Sequence, residues 1–265
     1  MENTGVIVYL SCIRDIEKLK ESLKRLDLFF NDQFSKPVII FHEDFSIEIQ
    51  KEILNATKSR IHFQNIIFTI PDFLDKSLIP ETIYYKKWGF NIGYRNMCRF
   101  FAGEIFQHTS LQKYKYIWRL DSDSYLLAPI KYDVFNKMAE EKYVYGYQHI
   151  EKDVPEVSKD LWTITKKYIS DHQINPTYLS KFLNNGEWDR SYYYTNFEII
   201  DIDYFKSNVI KNFYQYLDKS GGIYYYRWGD HIIRLLTLAI FSDESKVHQF
   251  SDIAYQHQYF INRGA

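Results

Sequence analysis

The hydrophobic pattern of this chain changes period repeatedly, and each change marks an element. Gly5-Val-Ile-Val-Tyr-Leu-Ser-Cys12 is a continuous apolar run, the signature of a strand covered on both faces. Ile16, Leu19, Leu23, Leu26 and Phe30 then recur at steps of three and four with Lys and Glu between them, which predicts an amphipathic helix. Residues 37–41 repeat the strand pattern, 49–57 read as a second helix, and 61–69 as a third strand stopped by Pro71. Such alternation predicts an α/β fold, with a mostly parallel sheet flanked by helices.

The middle follows the same logic. Met97, Phe101 and Ile105 space a helix over 94–109, and 114–120 form a strand ending at Asp121-Ser122-Asp123. Helix is expected over 133–142, strand over 143–149 and helix over 157–172, followed by a turn at Asn184-Asn185-Gly186. Residues 204–217 read as a helix closed by Gly221-Gly222, with a last apolar helix over 229–241. From Val247 the tail reads as irregular and rich in aromatics and His. No linker or repeat divides the chain, so one unit over 1–265 is expected.

Composition narrows the function. Of 265 residues 46% are apolar, enough for a sizeable core, and 18% are aromatic, which is unusually many. A net charge of -1 supplies no basic field for nucleic acid or an anionic membrane. Two cysteines, Cys12 and Cys98, exclude a disulfide framework and a multi-Cys zinc site. The first residues lack a charged n-region and a long apolar core, and no window approaches a membrane span, so a soluble, cytoplasmic protein is expected as the chain is written.

Chemistry concentrates at four places. Asp121 and Asp123 follow the end of a buried strand, where open α/β sheets bind ligands. Their hard oxygens suit Mg²⁺ or Mn²⁺ with a nucleotide diphosphate, although a solvated turn has the same pattern. Glu198 stands inside the apolar run Asn196-Phe-Glu-Ile-Ile200. It is either buried with a partner, aimed into a cleft, or on the polar face of an edge strand. The segment 224–230 packs Arg227, Asp230 and four aromatics together, suited to a sugar ring or to a core. His257 is either a neutral metal ligand or an ordinary structural His. Dinucleotide, P-loop, serine-hydrolase and zincin motifs are absent.

Taken in order, Ile92-Gly-Tyr-Arg-Asn-Met-Cys-Arg-Phe100, Tyr116-Ile-Trp-Arg-Leu-Asp-Ser-Asp123, Tyr132-Asp-Val-Phe135, Asn196-Phe-Glu-Ile199, Tyr216-Leu-Asp-Lys-Ser-Gly-Gly222, Tyr225-Tyr-Arg-Trp-Gly-Asp230 and Asp252-Ile-Ala-Tyr-Gln-His257 resemble the fungal α-1,2-mannosyltransferases of glycosyltransferase family 15. The resemblance implies a GT-A fold, with a Rossmann-like nucleotide-sugar half over about 1–125 and an acceptor half over about 126–265. It implies GDP-mannose as donor, Mn²⁺ (or Mg²⁺) as cofactor, a glycan acceptor, and retaining transfer to the 2-hydroxyl of a mannoside. By the same resemblance Asp123 and His257 are metal ligands, with Asp121 a further ligand or ribose contact. Arg14 and Arg95 lie on the donor side. Glu198 takes the place of the candidate nucleophile, as covalent partner or as electrostatic partner in front-face transfer. Tyr94 and Asp230 line the active site, and Tyr226, Arg227, Trp228 and Tyr255 frame the sugar cleft.

Two departures stand out. The family's Glu-Pro-Asp is Asp121-Ser122-Asp123 here, and no counterpart of its Golgi anchor is expected in the chain as written. Another nucleotide sugar is the nearest alternative donor. A phosphohydrolase of the haloacid dehalogenase type also opens on strand-D-x-D, but it favours Thr or Val where Tyr125 stands. A non-catalytic carbohydrate-binding relative would not be expected to keep Glu198 and Asp230.

Overall fold

The computed structural model describes residues 4–264, so residues 1–3 and Ala265 of the expected 1–265 unit lie outside the described residues. Seven strands form one sheet in the order Val247–Gln249, Tyr145–Tyr147, Phe197–Asp201, Tyr116–Leu120, Gly5–Leu10, Val38–His42, Ile61–Asn65. The last four are mutually parallel. Phe197–Asp201 runs antiparallel to both its neighbours, which makes the sheet mixed. Glu198 therefore sits on an interior strand and not on an edge.

Continuous apolar strands are explained by the two cores they separate. Val6, Val8, Ile117 and Ile200 face one core, and Ile7, Tyr9, Trp118 and Ile199 face the other. Successive side chains of a strand point to opposite faces, so these strands are buried throughout save the half-buried Leu10 at the cleft end. Helix Ile16–Leu26 covers the second core, with Ile16, Leu19, Leu23 and Leu26 all buried as their spacing predicts. Helices Ile92–Ala102 and Asp230–Phe241 cover the first.

Several boundaries differ from expectation. The helix expected over 94–109 ends at Ala102, because the Tyr214 ring packs where a side chain at Gly103 would stand, and two 3₁₀ turns follow. The strand expected over 61–69 stops at Asn65. Asp160, at φ 62°, separates the short turn Pro155–Ser158 from helix Leu161–Asp171. Gly221, at φ 76°, does take the left-handed position after helix Asn208–Lys219. The tail is where the expectation fails most. Val247–Gln249 is an edge strand of the main sheet, while Tyr255–His257 and Phe260–Asn262 join Ser124–Leu126 in a three-stranded sheet. Among the described residues no helix is long and apolar enough to cross a membrane.

Candidate active site

The parallel strands Gly5–Leu10 and Tyr116–Leu120 end side by side, and their following loops bound an open cleft of about 810 Å³. Ser122 donates from Oγ to Ser11 Oγ at 2.9 Å, tying the two loops together. The Asp121–Ser124 turn is fixed from below. Ser124 Oγ accepts from the Asp121 amide at 3.0 Å and donates to the Asn196 carbonyl at 2.9 Å. The Tyr255 hydroxyl donates to Asn196 Oδ1 at 2.6 Å and lies 2.7 Å from Ser124 Oγ. Serine at position 124 thus does locally what a rigid turn residue would do.

The three-stranded sheet sets His257 opposite Ser124 in register and so delivers the imidazole to the acidic turn. His257 Nε2 lies 2.9 Å from Asp123 Oδ1 and 3.8 Å from Asp121 Oδ2, while Tyr194 Oη holds Nδ1 at 3.0 Å. A polar partner at one ring nitrogen, orienting the other, is the usual support of a ligating histidine. Burial alone would raise the Asp123 carboxyl, but the hydrogen bond and charge of His257, with Lys18, bring it below its ordinary value. Among the described residues no three His, Cys, Asp or Glu side chains close into a metal cage. The donor set, one carboxylate and one imidazole with a second carboxylate beside them, fits instead a divalent ion that keeps positions open for phosphate oxygens.

Beneath the cleft floor, formed by Met97 and Phe101, lies a buried charge network. Arg119 and Glu198 are directly opposite across neighbouring strands. Arg119 donates to Asp230 Oδ2 at 2.6 Å, to Glu198 Oε1 at 3.3 Å and to Asp121 Oδ1 at 3.2 Å. Its guanidinium also stacks 3.6 Å above the Phe101 ring. Arg234 Nε donates to Glu198 Oε2 at 2.9 Å, and the Tyr145 hydroxyl to the same oxygen at 3.1 Å. Thr195 Oγ1 donates to Asp230 Oδ2 at 2.8 Å. Burial would raise the Asp230 carboxyl, but Arg119 first and then His231 hold it down at about 2. Glu198 is 0% exposed, with both oxygens engaged below the floor. Arg119 and Arg234 were not singled out by the sequence reading. The available signal was a lone cation inside an otherwise apolar strand and helix, the same signal that marked Glu198.

The remaining candidates divide. Tyr94, Arg14, Asp121, Asp123 and His257 line the cleft. Arg14 extends into solvent at its edge, near Asp15. Arg95, expected on the donor side, is instead fully buried. It donates to the carbonyls of Pro80, Glu81, Asn91 and Tyr224, so no group of it is left for a nucleotide. Trp228 and Tyr255, expected to frame the sugar, are core residues. The indole of Trp228 donates to the Lys159 carbonyl, and Tyr255 supports the acidic turn. Tyr226 is half-buried against Trp228 and Lys159 and is not part of the cleft wall. Arg227, at φ 68°, is held by Asp153 at 2.8 Å and lies over the Phe90 ring. A second cavity of about 560 Å³ around Arg99, Tyr214 and Asp218 is lined by none of the candidate residues.

A mixed, mostly parallel sheet with paired acids at the strand ends over an open cleft is the architecture of a GT-A glycosyltransferase. The chain belongs to the glycolipid 2-alpha-mannosyltransferase family, whose model matches residues 1–264. It is 31% identical to the probable mannosyltransferase KTR4 of Saccharomyces cerevisiae, over 97% of this chain and 61% of that protein, so it spans under two thirds of that relative's length. It is 29% identical to the O-glycoside alpha-1,2-mannosyltransferase omh1 of Schizosaccharomyces pombe, over 96% of this chain and 68% of the relative. The crystal structure of core-mannan synthase A (CmsA/Ktr4) from Aspergillus fumigatus, in its Mn/GDP form, matches at TM-score 0.91 and 26% identity, over 98% of this chain and 76% of that one. The structure of Ktr4p from S. cerevisiae in complex with GDP matches at 0.90 and 29%, over 98% and 72%.

Proposed function

We propose that this chain is a retaining α-1,2-mannosyltransferase, moving mannose from GDP-mannose to the 2-hydroxyl of a mannoside with Mn²⁺, or less effectively Mg²⁺. The observation that carries this reading is the Asp123–His257 pair at 2.9 Å, with Asp121 beside it, at the edge of a cleft large enough for a nucleotide sugar. The GDP and manganese found with relatives of the same family support it. When bound, the divalent ion would offset the negative charge that builds on the leaving diphosphate.

The chain's own side chains supply the rest. Asp123 and His257 would hold the ion, and Lys18, whose Nζ is 3.7 Å from Asp123, adds positive charge on the diphosphate side. Tyr94 lines the cleft, and burial, first of all, holds its phenol well above the ordinary value, so the hydroxyl stays protonated beside Cys98 and Asp230. We assign Glu198 and Asp230 as positioning residues. They neutralise Arg119 and fix its contact to Asp121, and neither lines the cleft, whereas Met97 and Phe101, which pack on Arg119, do. This favours front-face transfer over a covalent glycosyl-enzyme. The acceptor oxygen bonds to the anomeric carbon on the side from which GDP departs, and its proton passes to the leaving phosphate oxygen.

Calorimetry tests the reading. GDP should bind the wild-type chain much more tightly with Mn²⁺ than with a chelator, and Asp123→Ala should remove that difference. An Asp123→Ala variant with unchanged Mn²⁺-dependent affinity would reject the ligand assignment. A thermal-shift screen of nucleotide sugars with Mn²⁺ should single out GDP-mannose; selective stabilisation by another sugar nucleotide would replace it as donor.

A further inference from the structure

The cleft wall continues outward along a surface that the reaction at its centre does not use. Strands Thr82–Tyr85 and Trp88–Asn91 form a hairpin whose second strand runs directly into helix Ile92–Ala102, the helix that carries Tyr94. The pairing sets Ile83 opposite Phe90 and Tyr85 opposite Trp88, so these four side chains share one face. Tyr84 lies on the other face, against Gly89. The inner end of the shared face touches the cleft, since the Phe90 ring is 4.9 Å from that of Tyr94, with the Arg227 guanidinium 4.3 Å from its centre. At the outer end Trp88 is 60% exposed, and Lys86 and Lys87 rest over Tyr85 and Trp88.

A hairpin that only linked two elements would bury its aromatics or carry polar residues there. Here the outermost ring, Trp88, stays exposed, with Tyr85 and Phe90 half-buried behind it. Arg95 fixes the base of the hairpin, through Pro80 and Glu81 before the first strand and Asn91 at the close of the second. An aromatic row about 7 Å long, two strand residues from Phe90 to Trp88, leads outward from Tyr94. Flat rings flanked by ammonium donors suit the apolar faces and hydroxyls of sugar rings.

We propose that this face is an extended acceptor platform. Sugar units of an oligosaccharide, lying beyond the one that receives mannose, stack on Tyr85 and Trp88. The proposal rests on the transferase reading and names its acceptor class, an oligosaccharide in preference to a monosaccharide. Continuity of the row with Tyr94 favours a glycan over a lipid surface, because Phe90 packs against a ring that lines the cleft.

The test compares a linear α-linked trimannoside with methyl α-mannoside as acceptors for wild type, Trp88→Ala and Trp88→Phe. In Trp88→Ala the KM for the trimannoside should rise roughly three- to tenfold, with kcat and the methyl mannoside KM held, and Trp88→Phe should restore most of the difference. Independently of turnover, trimannoside should alter the fluorescence that wild type shows in excess over Trp88→Phe. Equal KM effects on both acceptors, or no effect on either, overturn the platform while leaving the transferase reading intact. Absence of any mannosyl transfer by wild type, together with absent Mn²⁺-dependent GDP binding, would instead strike the transferase reading. Loss of sedimentation with phosphatidylserine vesicles in Lys86→Glu/Lys87→Glu, with the acceptor preference unchanged, would overturn the platform in favour of lipid docking.

Discussion

Two clusters of acids and cations meet at Asp121, and they are built from nearly the same side chains. Above the floor, Asp121, Asp123 and Lys18 are partly open to solvent and meet the buried edge of His257, with contacts of 2.9 to 3.8 Å and valences unfilled. Below it, Arg119, Glu198, Arg234 and Asp230 are almost wholly shielded, and every carboxylate is paired. The difference lies in burial and not in charge. An exposed cluster can lose a member and let water take its place, whereas a buried one cannot, because an unpaired ion in the interior costs several kcal/mol. The upper cluster is therefore equipped to bind and the lower one to hold shape.

That contrast can be broken experimentally, beginning below the floor. Glu198→Ala leaves Arg119 and Arg234 facing one another without their shared carboxylate and should destabilise the fold by about 3–5 kcal/mol in urea unfolding. A loss under 1 kcal/mol would mean the network is not the rigid member of the pair. Acid should find the same cluster. The folded Asp230 carboxyl titrates near 2, below its ordinary 3.8, so its stabilisation is complete above the ordinary value and is lost as pH falls toward 2. The loss is on the order of 2 kcal/mol, and Asp230→Asn should lack that part of the acid limb. Above the floor the sign reverses. Tyr194→Phe removes the support of His257 Nδ1 and should weaken Mn²⁺-dependent GDP binding about tenfold with unfolding hardly altered. Lys18→Met, at an exposed pair, should change stability by under about 1 kcal/mol and GDP affinity only modestly, more so at low salt. Should Tyr194→Phe unfold the protein instead, the division between the two clusters would fail.

Much of the sheet was legible because its strands are buried on both faces. The run from Gly5 and the step of Ile16, Leu19, Leu23 and Leu26 each admit one reading. The acidic turn and His257 could be picked out, yet the reason they meet could not. It depends on pairing between Ser124–Leu126 and Tyr255–His257, strands of three residues each, too short to show a period. Aromatic composition misled for a related cause. Tyr255 falls in the same motif as the cleft residue His257, and Trp228 beside the charged pair Arg227 and Asp230, but whether a ring faces a cleft or a core depends on packing between distant segments, and here both face the core. Arg95 illustrates the limit most clearly, since a cation next to Tyr94 in sequence turns inward and serves backbone carbonyls.

The pairing of Arg119 with Glu198 has one more consequence, for how the chain finds its fold. Slipping strand Phe197–Asp201 by one residue would turn Glu198 into the opposite core, among Trp118 and Tyr116, and leave Arg234 without an anion. Apolar strands discriminate poorly between neighbouring alignments, since nearly any offset buries similar side chains. A single opposed pair of ions makes all offsets but one expensive, so it acts as a proofreading mark for the centre of the sheet. Replacing the whole buried set, Arg119, Glu198, Arg234 and Asp230, by apolar residues of similar volume should leave stability equal or higher while refolding yields more misaligned, aggregating chain; clean refolding of that variant would show that the apolar pattern alone sets the alignment.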